Sequence, residues 1–207
     1  MLNHLLTAIV ILAAGASSAQ EIPVASFSNG DLSGWSEKVF KGKTSYTLEN
    51  SVLKAHSVRA GSGLIKKLSV DTQRYPKLSW SWRVDHTLKG ENILTKKGDD
   101  FAARVYVVFP RTFFWRMRAI NYVWAAKMPK LGEARSPYTS NSVIVALESG
   151  DDLAGSWVHE ERNIYQDYRR IFGEEPPLLG GVAIMTDTDD TQDEANAWYG
   201  DITLRAL

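Results

Sequence analysis

The chain has 207 residues, and its 24 lysine and arginine side chains balance 24 aspartate and glutamate side chains, so the formal net charge at pH 7 is zero. A chain of this length forms one domain with a sizeable core, and we expect residues 20–207 to be that domain. The balanced charge offers no basic stripe, which excludes a nucleic-acid partner. The chain has no cysteine, which excludes disulfides, thiol catalysis and thiolate metal sites.

Residues 1–19 have the pattern of a secretory signal peptide. An apolar run covers residues 5–14, and the small residues Ser17 and Ala19 occupy the −3 and −1 positions of a cleavage site. A membrane anchor is the alternative, but this run is only about half of the roughly twenty apolar residues that cross a bilayer. We therefore expect export to a bacterial periplasm or the exterior, with no membrane span after cleavage.

Most of the remaining chain has the pattern of β-strands. Residues 78–84 alternate apolar and polar side chains, and the face that carries Trp80 and Trp82 is predicted to be core. Residues 101–109 are rich in β-branched and aromatic side chains, as is typical of a central strand. Further strands are predicted at residues 44–48, 52–56, 63–70, 120–126, 141–147, 181–185 and 197–204, with a tight turn at 49–51.

One segment has the pattern of a helix. In residues 164–172 the apolar side chains recur at steps of three and four, and Gly173 followed by two prolines ends the segment. Two packed antiparallel sheets are the usual way for many short strands to bury their apolar faces. We therefore predict an all-β, antiparallel β-sandwich with one short helix, of the jelly-roll (galactose-binding-like) or the immunoglobulin-like kind.

Motifs at both ends of this domain resemble known proteins. Residues 27–35 (FSNGDLSGW) and 198–204 (WYGDITL) resemble the opening and closing strands of jelly-roll carbohydrate-binding modules. In such modules an acid on the closing strand, here Asp201, often helps to hold a structural calcium ion. The series G-W, Y-P-x-L-x-W-x-W, G-D-D-x-A-A-R-V-Y, Y-V-W-A, D-Y-R-R-x-F-G, M-T-D-T-D-D-T and Y-G-D-I resembles a bacterial family called domain of unknown function 3047. That resemblance implies no assigned activity.

Four residues are candidates for contacting a ligand. Arg104 lies on an otherwise apolar strand face, and because an unpaired buried guanidinium is costly, we expect a carboxylate partner, with Asp100 favoured by its even spacing. This pair is either a folding salt bridge or a planar donor for a sugar hydroxyl or a uronic-acid carboxylate. Tyr122 and Trp124 share one strand face in a basic region, where they form either core or an exposed aromatic platform.

An acidic loop near the C-terminus is the candidate metal site. Five carboxylates fall within residues 187–194 with no lysine or arginine, and Asp201 adds a sixth inside an apolar segment. Carboxylates that alternate with threonine, as Asp187 and Asp189 do, resemble oxygen-ligand loops for Ca²⁺, although the spacing is not that of an EF-hand. Asp187, Asp189 and Asp201 therefore either bind a structural calcium ion or belong to a solvated loop.

Three classes of function follow from these patterns. The first is a non-catalytic module that binds an envelope glycan or polysaccharide, which suits the predicted architecture and the 11% aromatic content. The second is a periplasmic structural or protein-interaction domain. The third is a carbohydrate-active hydrolase or lyase, since Glu160 and its neighbours offer acid and base groups. The chain has no phosphate loop, nucleophile elbow or histidine-rich zinc motif, which favours binding over catalysis.

Overall fold

The computed structural model describes residues 20–207, apart from the side chain of Phe114. The expected signal peptide, residues 1–19, and its cleavage site at Ala19 lie outside the described residues. Within them, no helix is long and apolar enough to cross a membrane. The strands are β1 Glu21–Ala25, β2 Trp35–Lys41, β3 Ser45–Glu49, β4 Val52–Val58, β5 Gly61–Val70, β6 Lys77–Val84, β7 Ala103–Phe109, β8 Arg118–Ala125, β9 Glu133–Ser136, β10 Thr139–Ser149, β11 Val158–Asn163, β12 Leu179–Asp187 and β13 Glu194–Arg205, and the helix α1 is Ile164–Phe172.

The strands form two sheets packed face to face, which confirms the predicted β-sandwich. The six-stranded sheet has the order β11-β6-β13-β4-β3, with β1 also paired to β13, and the seven-stranded sheet has the order β2-β5-β12-β7-β8-β10-β9. Every pair is antiparallel except β8 with β10, which run parallel. This exception arises because the chain crosses from β8 to the edge strand β9 and then turns back, so that β10 fits between them.

All of the predicted strands are present, but four others escaped prediction. These are β1, β2, β9 and β11. Nearly all side chains of β2 are exposed, and β9 has only four residues. A strand without a buried face has no apolar alternation along the sequence, so periodicity does not reveal it. The predicted turn is confirmed, since Asn50 and Ser51 adopt positive φ values of 49° and 65° between β3 and β4.

The core between the sheets is rich in large aromatic side chains. Trp80 and Trp82 are buried as predicted, with ring centroids 5.5 Å apart in an edge-to-face arrangement. Tyr122 lies 5.6 Å from Trp80, and Trp124 lies 6.0 Å from Trp82. Each such ring buries about 150–250 Å², which at about 25 cal/mol/Å² contributes at most about 4–6 kcal/mol of transfer free energy. This aromatic cluster therefore holds the two sheets together.

Helix α1 spans the predicted residues and closes one end of the sandwich. Asn163 caps it, because its Oδ1 accepts a hydrogen bond from the main-chain N–H of Gln166. Gly173 ends it in the left-handed region at φ 71°. The ring of Tyr168 packs against Phe109 of β7 at 4.5 Å between centroids. The opposite end of the sandwich, where β7 begins and β12 ends, carries the charged groups described below.

Candidate functional site

One row of side chains crosses the outer face of the seven-stranded sheet, the face that points away from the core. Directly paired residues on neighbouring strands share a face, so the strand registers place this row without ambiguity. From β2 across β5, β12 and β7 to β8 the row consists of Ser36, Ile65, Ala183, Tyr106 and Asn121. An aromatic ring and an amide therefore lie side by side on a small, otherwise apolar floor.

Tyr106 and Asn121 are the polar groups of this floor. The Tyr106 hydroxyl accepts a hydrogen bond of 3.0 Å from Nη1 of Arg104, and burial raises the pKa of Tyr106 to about 12, so the hydroxyl keeps a proton to donate. Asn121 is only 2% exposed, and its Oδ1 has no hydrogen-bond partner among residues 20–207. An unsatisfied buried carbonyl costs about 1–3 kcal/mol, and this oxygen is shielded from solvent, so Asn121 is an unfavourable feature of the floor.

Basic side chains lie in the two rows next to this floor. Lys38 pairs with Gly63, which is opposite Met185, and Lys67 pairs with Gly181, so both lysines share the outer face with Tyr106. Lys67 is exposed. The edge of the floor formed by β2 and β5 is therefore positively charged.

The turn between β9 and β10 contacts the loop that follows β12. Tyr138, between β9 and β10, donates a hydrogen bond of 2.7 Å to Oδ2 of Asp190, which follows β12, and the ammonium of Lys96 lies 5.2 Å from its ring centroid. We call these three residues the Tyr138 clasp. Strands β7 and β8 separate β10 from β12 in the sheet. The clasp therefore links the turn between β9 and β10 to loops that belong to distant parts of the sheet.

Arg104 is the buried charge at the end of this floor. It is 3% exposed and donates to both oxygens of Asp187, from Nε at 2.8 Å and from Nη2 at 2.6 Å, while Nη1 donates to Oδ1 of Asp99 at 3.1 Å. Burial lowers the pKa of Arg104, but the attraction of Asp187, Tyr106 and Asp99 outweighs this and raises it. The guanidinium is therefore charged, and it links the carboxylates to the Tyr106 hydroxyl.

The expectation that Arg104 pairs with a carboxylate is confirmed, but the predicted partner was wrong. Asp100 turns away from Arg104, and its Oδ2 accepts hydrogen bonds from the main-chain N–H groups of Asp190 and Thr191 at 2.9 and 2.6 Å and from the Thr191 hydroxyl at 2.8 Å. Asp187 takes the position beside Arg104 because β12 pairs with β7, with Met185 opposite Arg104. Spacing within one strand does not reveal this neighbour.

Tyr122 and Trp124 do not lie on a binding surface, which corrects their assignment as ligand-binding candidates. Both side chains are completely buried, because alternate residues of β8 point into the core. The Tyr122 hydroxyl donates to Oδ2 of Asp167 at 2.7 Å, and Nε1 of Trp124 donates to the carbonyl of Gly150 at 3.0 Å. Their polar atoms are thus satisfied inside the protein, and neither ring is available to a glycan.

The carboxylates of the acidic loop are not grouped as predicted. Asp187 and Asp189 come together with Asp100, and one oxygen of each lies within 4.8 Å of the others. Asp201 does not join them. It lies seven residues beyond Glu194 on β13, roughly 20 Å along the strand, and its carboxylate accepts hydrogen bonds from the N–H and the hydroxyl of Ser28 at 2.8 and 2.5 Å.

Three residues of this region were not predicted from the sequence: Tyr106, Asn121 and Tyr138. A signal for the first two was present, since each is a polar or aromatic residue at an alternate position among apolar residues of a predicted strand. No signal pointed to Tyr138, because its contacts with Lys96 and Asp190 join residues 42 and 52 positions away in the chain. Only the folded hairpin brings these groups together.

The model of a protein family described as "Protein of unknown function (DUF3047)" matches residues 33–203. The chain belongs to this family. The match confirms the resemblance predicted from the motif series. No curated protein sequence matches this DUF3047 protein.

Solved structures with similar folds include carbohydrate-binding modules. The family 30 module of the cellulosomal cellulase CEL9D-CEL44B of Clostridium thermocellum has a TM-score of 0.50 at 10% identity, with 90% of this chain and 98% of the module covered. The family 11 module of Lic26A-Cel5E from the same organism has a TM-score of 0.49 at 11% identity, with 92% and 97% covered. The xyloglucanase domain of NopAA from Sinorhizobium fredii, in complex with cellobiose, has a TM-score of 0.47 at 8% identity, with 92% and 99% covered. At these identities the likeness shows the fold of the DUF3047 protein and not its ligand.

Glu160, one of the acid and base groups noted in the sequence, is buried between the sheets and not in a cleft. Burial raises the pKa of Glu160 to about 7, and repulsion from Glu148, which is paired with Lys130 at 2.5 Å, adds to the rise. The folded chain thus holds this proton more tightly than the unfolded chain, whose ordinary value is 4.5. The resulting stabilisation is complete below pH 4.5 and is lost as the pH rises through about 7.

Replacing Glu160 with glutamine should flatten the pH dependence of stability. Between pH 4.5 and 7.5 we expect the wild-type protein to lose about 1–2 kcal/mol more unfolding free energy than Glu160→Gln, after allowance for solvent screening. Urea unfolding at both pH values measures this difference. Glu161→Gln, on the exposed side of the same strand, is the matched control and should keep the wild-type slope. Equal slopes for Glu160→Gln and the wild type would contradict the prediction.

Proposed function

We propose that this protein is a non-catalytic glycan-binding module of the bacterial envelope, exported after removal of residues 1–19. The observation that carries the proposal is the floor of the outer face, where the half-buried Tyr106 ring shares one face with the exposed side chains of Lys38 and Lys67. The fold shared with carbohydrate-binding modules is compatible with this role. The signal-like pattern of residues 1–19 supports export.

The chemistry of the floor suits a sugar. A pyranose presents C–H groups that pack on an aromatic ring and hydroxyls that both donate and accept hydrogen bonds. The Tyr106 hydroxyl can donate to such a hydroxyl. Lys38 and Lys67 on the same face add positive charge, which favours a glycan that contains uronic acids.

The carboxylates near the floor support binding and not hydrolysis. A glycosidase needs one carboxyl group to protonate the leaving oxygen and a second to act as nucleophile or base. Asp99 and Asp187, which Arg104 connects to Tyr106, are buried and already accept its charged hydrogen bonds. Neither is free to reach a glycosidic bond above the floor without breaking a buried ion pair.

Replacing Tyr106 with alanine should weaken glycan binding at least about tenfold, since the ring and its hydroxyl are both lost. Affinity electrophoresis against a panel of neutral and uronic-acid polysaccharides identifies a ligand, and calorimetry with oligosaccharides measures the change in Kd. Tyr165→Ala, which removes a half-buried tyrosine from helix α1, is the matched control and should bind like the wild type.

Wild-type affinity in Tyr106→Ala would contradict the proposed site, and absence of binding to the whole panel would contradict the proposed function. Export is checked separately by the N-terminal residue of the protein recovered from its native cell. A mature protein that retains Met1 would contradict export.

A further inference from the structure

A second site is formed by carboxylates at the end of the sandwich where β7 begins and β12 ends. Asp100 precedes β7, Asp187 ends β12, and Asp189 follows it in the loop to β13. One oxygen of each lies within 4.8 Å of the others. A single Ca²⁺ ion, with ligand distances of about 2.3–2.6 Å, spans oxygens up to roughly 5 Å apart, so one ion can contact all three.

Asp100 provides an independent indication that a ligand is missing from this cluster. The residue is 0% exposed, and its Oδ2 accepts three hydrogen bonds from residues of the β12–β13 loop. Its other oxygen, Oδ1, has no hydrogen-bond partner among the described residues 20–207. A fully buried carboxylate oxygen without a donor is unfavourable unless a cation contacts it.

The local excess of negative charge also favours a bound cation. Asp99 adds a fourth carboxylate beside the cluster, and Arg104 is the one basic side chain among residues 20–207 that forms ion pairs with this group. It contacts Asp187 and Asp99, whereas Asp100 and Asp189 have no ion-pair partner there. The ammonium of Lys41 lies at the edge of the cluster, but it donates to the main-chain carbonyl of Asp189 at 2.9 Å and not to a carboxylate.

Gly61 makes room for this arrangement. A Cβ atom at position 61 would lie 2.2 Å from Oδ1 of Asp189, far inside the contact distance. The Asp189 carboxylate therefore occupies the space that any other side chain at this position of β5 would fill. The backbone of Gly61 does not have a positive φ, so a small side chain there would displace the carboxylate without straining the strand.

We propose that Asp100, Asp187 and Asp189 bind one calcium ion. The ligands are hard oxygens, which Ca²⁺ accepts in a flexible geometry, whereas Mg²⁺ requires a strict octahedron and keeps its water. The site differs from the predicted one, since Asp100 replaces Asp201 as the third carboxylate. Bound calcium restrains the loop that carries Asp190, and so stabilises the Tyr138 clasp. The calcium site itself does not depend on the proposed glycan binding.

The test is calorimetric titration of chelator-treated protein with calcium chloride. We expect one ion per chain, a rise in the melting temperature with calcium, and at least tenfold weaker binding of magnesium. Asp100→Asn and Asp189→Asn each remove one charged ligand and should weaken calcium binding at least tenfold. Gly61→Ala should do the same while keeping every carboxylate, because it moves the Asp189 side chain out of the cluster.

Two control variants each remove one negative charge outside the cluster. Glu194→Gln lies at the end of the same loop, and Asp201→Asn lies on β13, so both should bind calcium like the wild type. Circular dichroism of each variant confirms that it is folded. The proposal is overturned if the wild-type protein shows no calcium binding, if magnesium binds equally well, or if Gly61→Ala keeps the wild-type Kd. Equal loss of binding in Glu194→Gln would also overturn it, because it would indicate a general effect of charge.

Discussion

Replacing Arg104 with methionine should lower the free energy of unfolding by about 3–5 kcal/mol. The substitution preserves most of the apolar stem but removes the charge that Asp187 and Asp99 share inside the protein. Those carboxylates would then be buried without a counterion, and the Tyr106 hydroxyl would lose its donor. Chemical denaturation at pH 7, with the midpoint and slope both recorded, measures the loss.

The matched control for this prediction is Arg74→Met. Arg74 is exposed, and its contacts within residues 20–207 are a hydrogen bond to the Gln20 side chain and the neighbouring Tyr75 ring, so its replacement should change stability by no more than about 0.5 kcal/mol. A loss below about 1 kcal/mol in Arg104→Met would show that the buried pairs contribute little, and would contradict the structural role assigned to Arg104.

Replacing Trp124 with alanine should destabilise the protein by about 3–5 kcal/mol. The indole is completely buried against Trp82, and its Nε1 satisfies the carbonyl of Gly150, so truncation leaves a large cavity and an unpaired acceptor. Trp124→Phe, which keeps a ring in the core, should cost less. Thermal and urea unfolding of both variants measure the difference, while glycan affinity of the folded protein should be unchanged because Trp124 is not on the surface.

Trp157 is the control for the tryptophan prediction. Its side chain is 44% exposed, so Trp157→Ala should cost no more than about 1 kcal/mol. A comparable loss from Trp157→Ala and Trp124→Ala would contradict the assignment of Trp124 to the core. Reduced glycan affinity in folded Trp124→Phe would instead support the earlier interpretation of Trp124 as a binding residue.

Much of the fold could be predicted because its determinants are local in the chain. The alternation through Trp80 and Trp82 identifies a strand and its buried face, and the helical spacing before Gly173 identifies helix α1 with the correct ends. Strand β2 could not be predicted, because almost none of its side chains are buried. The parallel pairing of β8 with β10 also escaped prediction, since it depends on where β9 docks.

The same distinction between local and tertiary determinants applies to the functional sites. The sequence by itself determined that Arg104 needs a carboxylate and that the acidic loop concentrates negative charge, because composition and burial pattern are local properties. Only the tertiary structure decided which groups meet. Pairing of β12 with β7 brings Asp187 to Arg104, and the loop after β12 brings Asp189 to Asp100. These partners lie more than 80 residues apart in the chain, and no periodic pattern encodes a neighbour that comes from another strand.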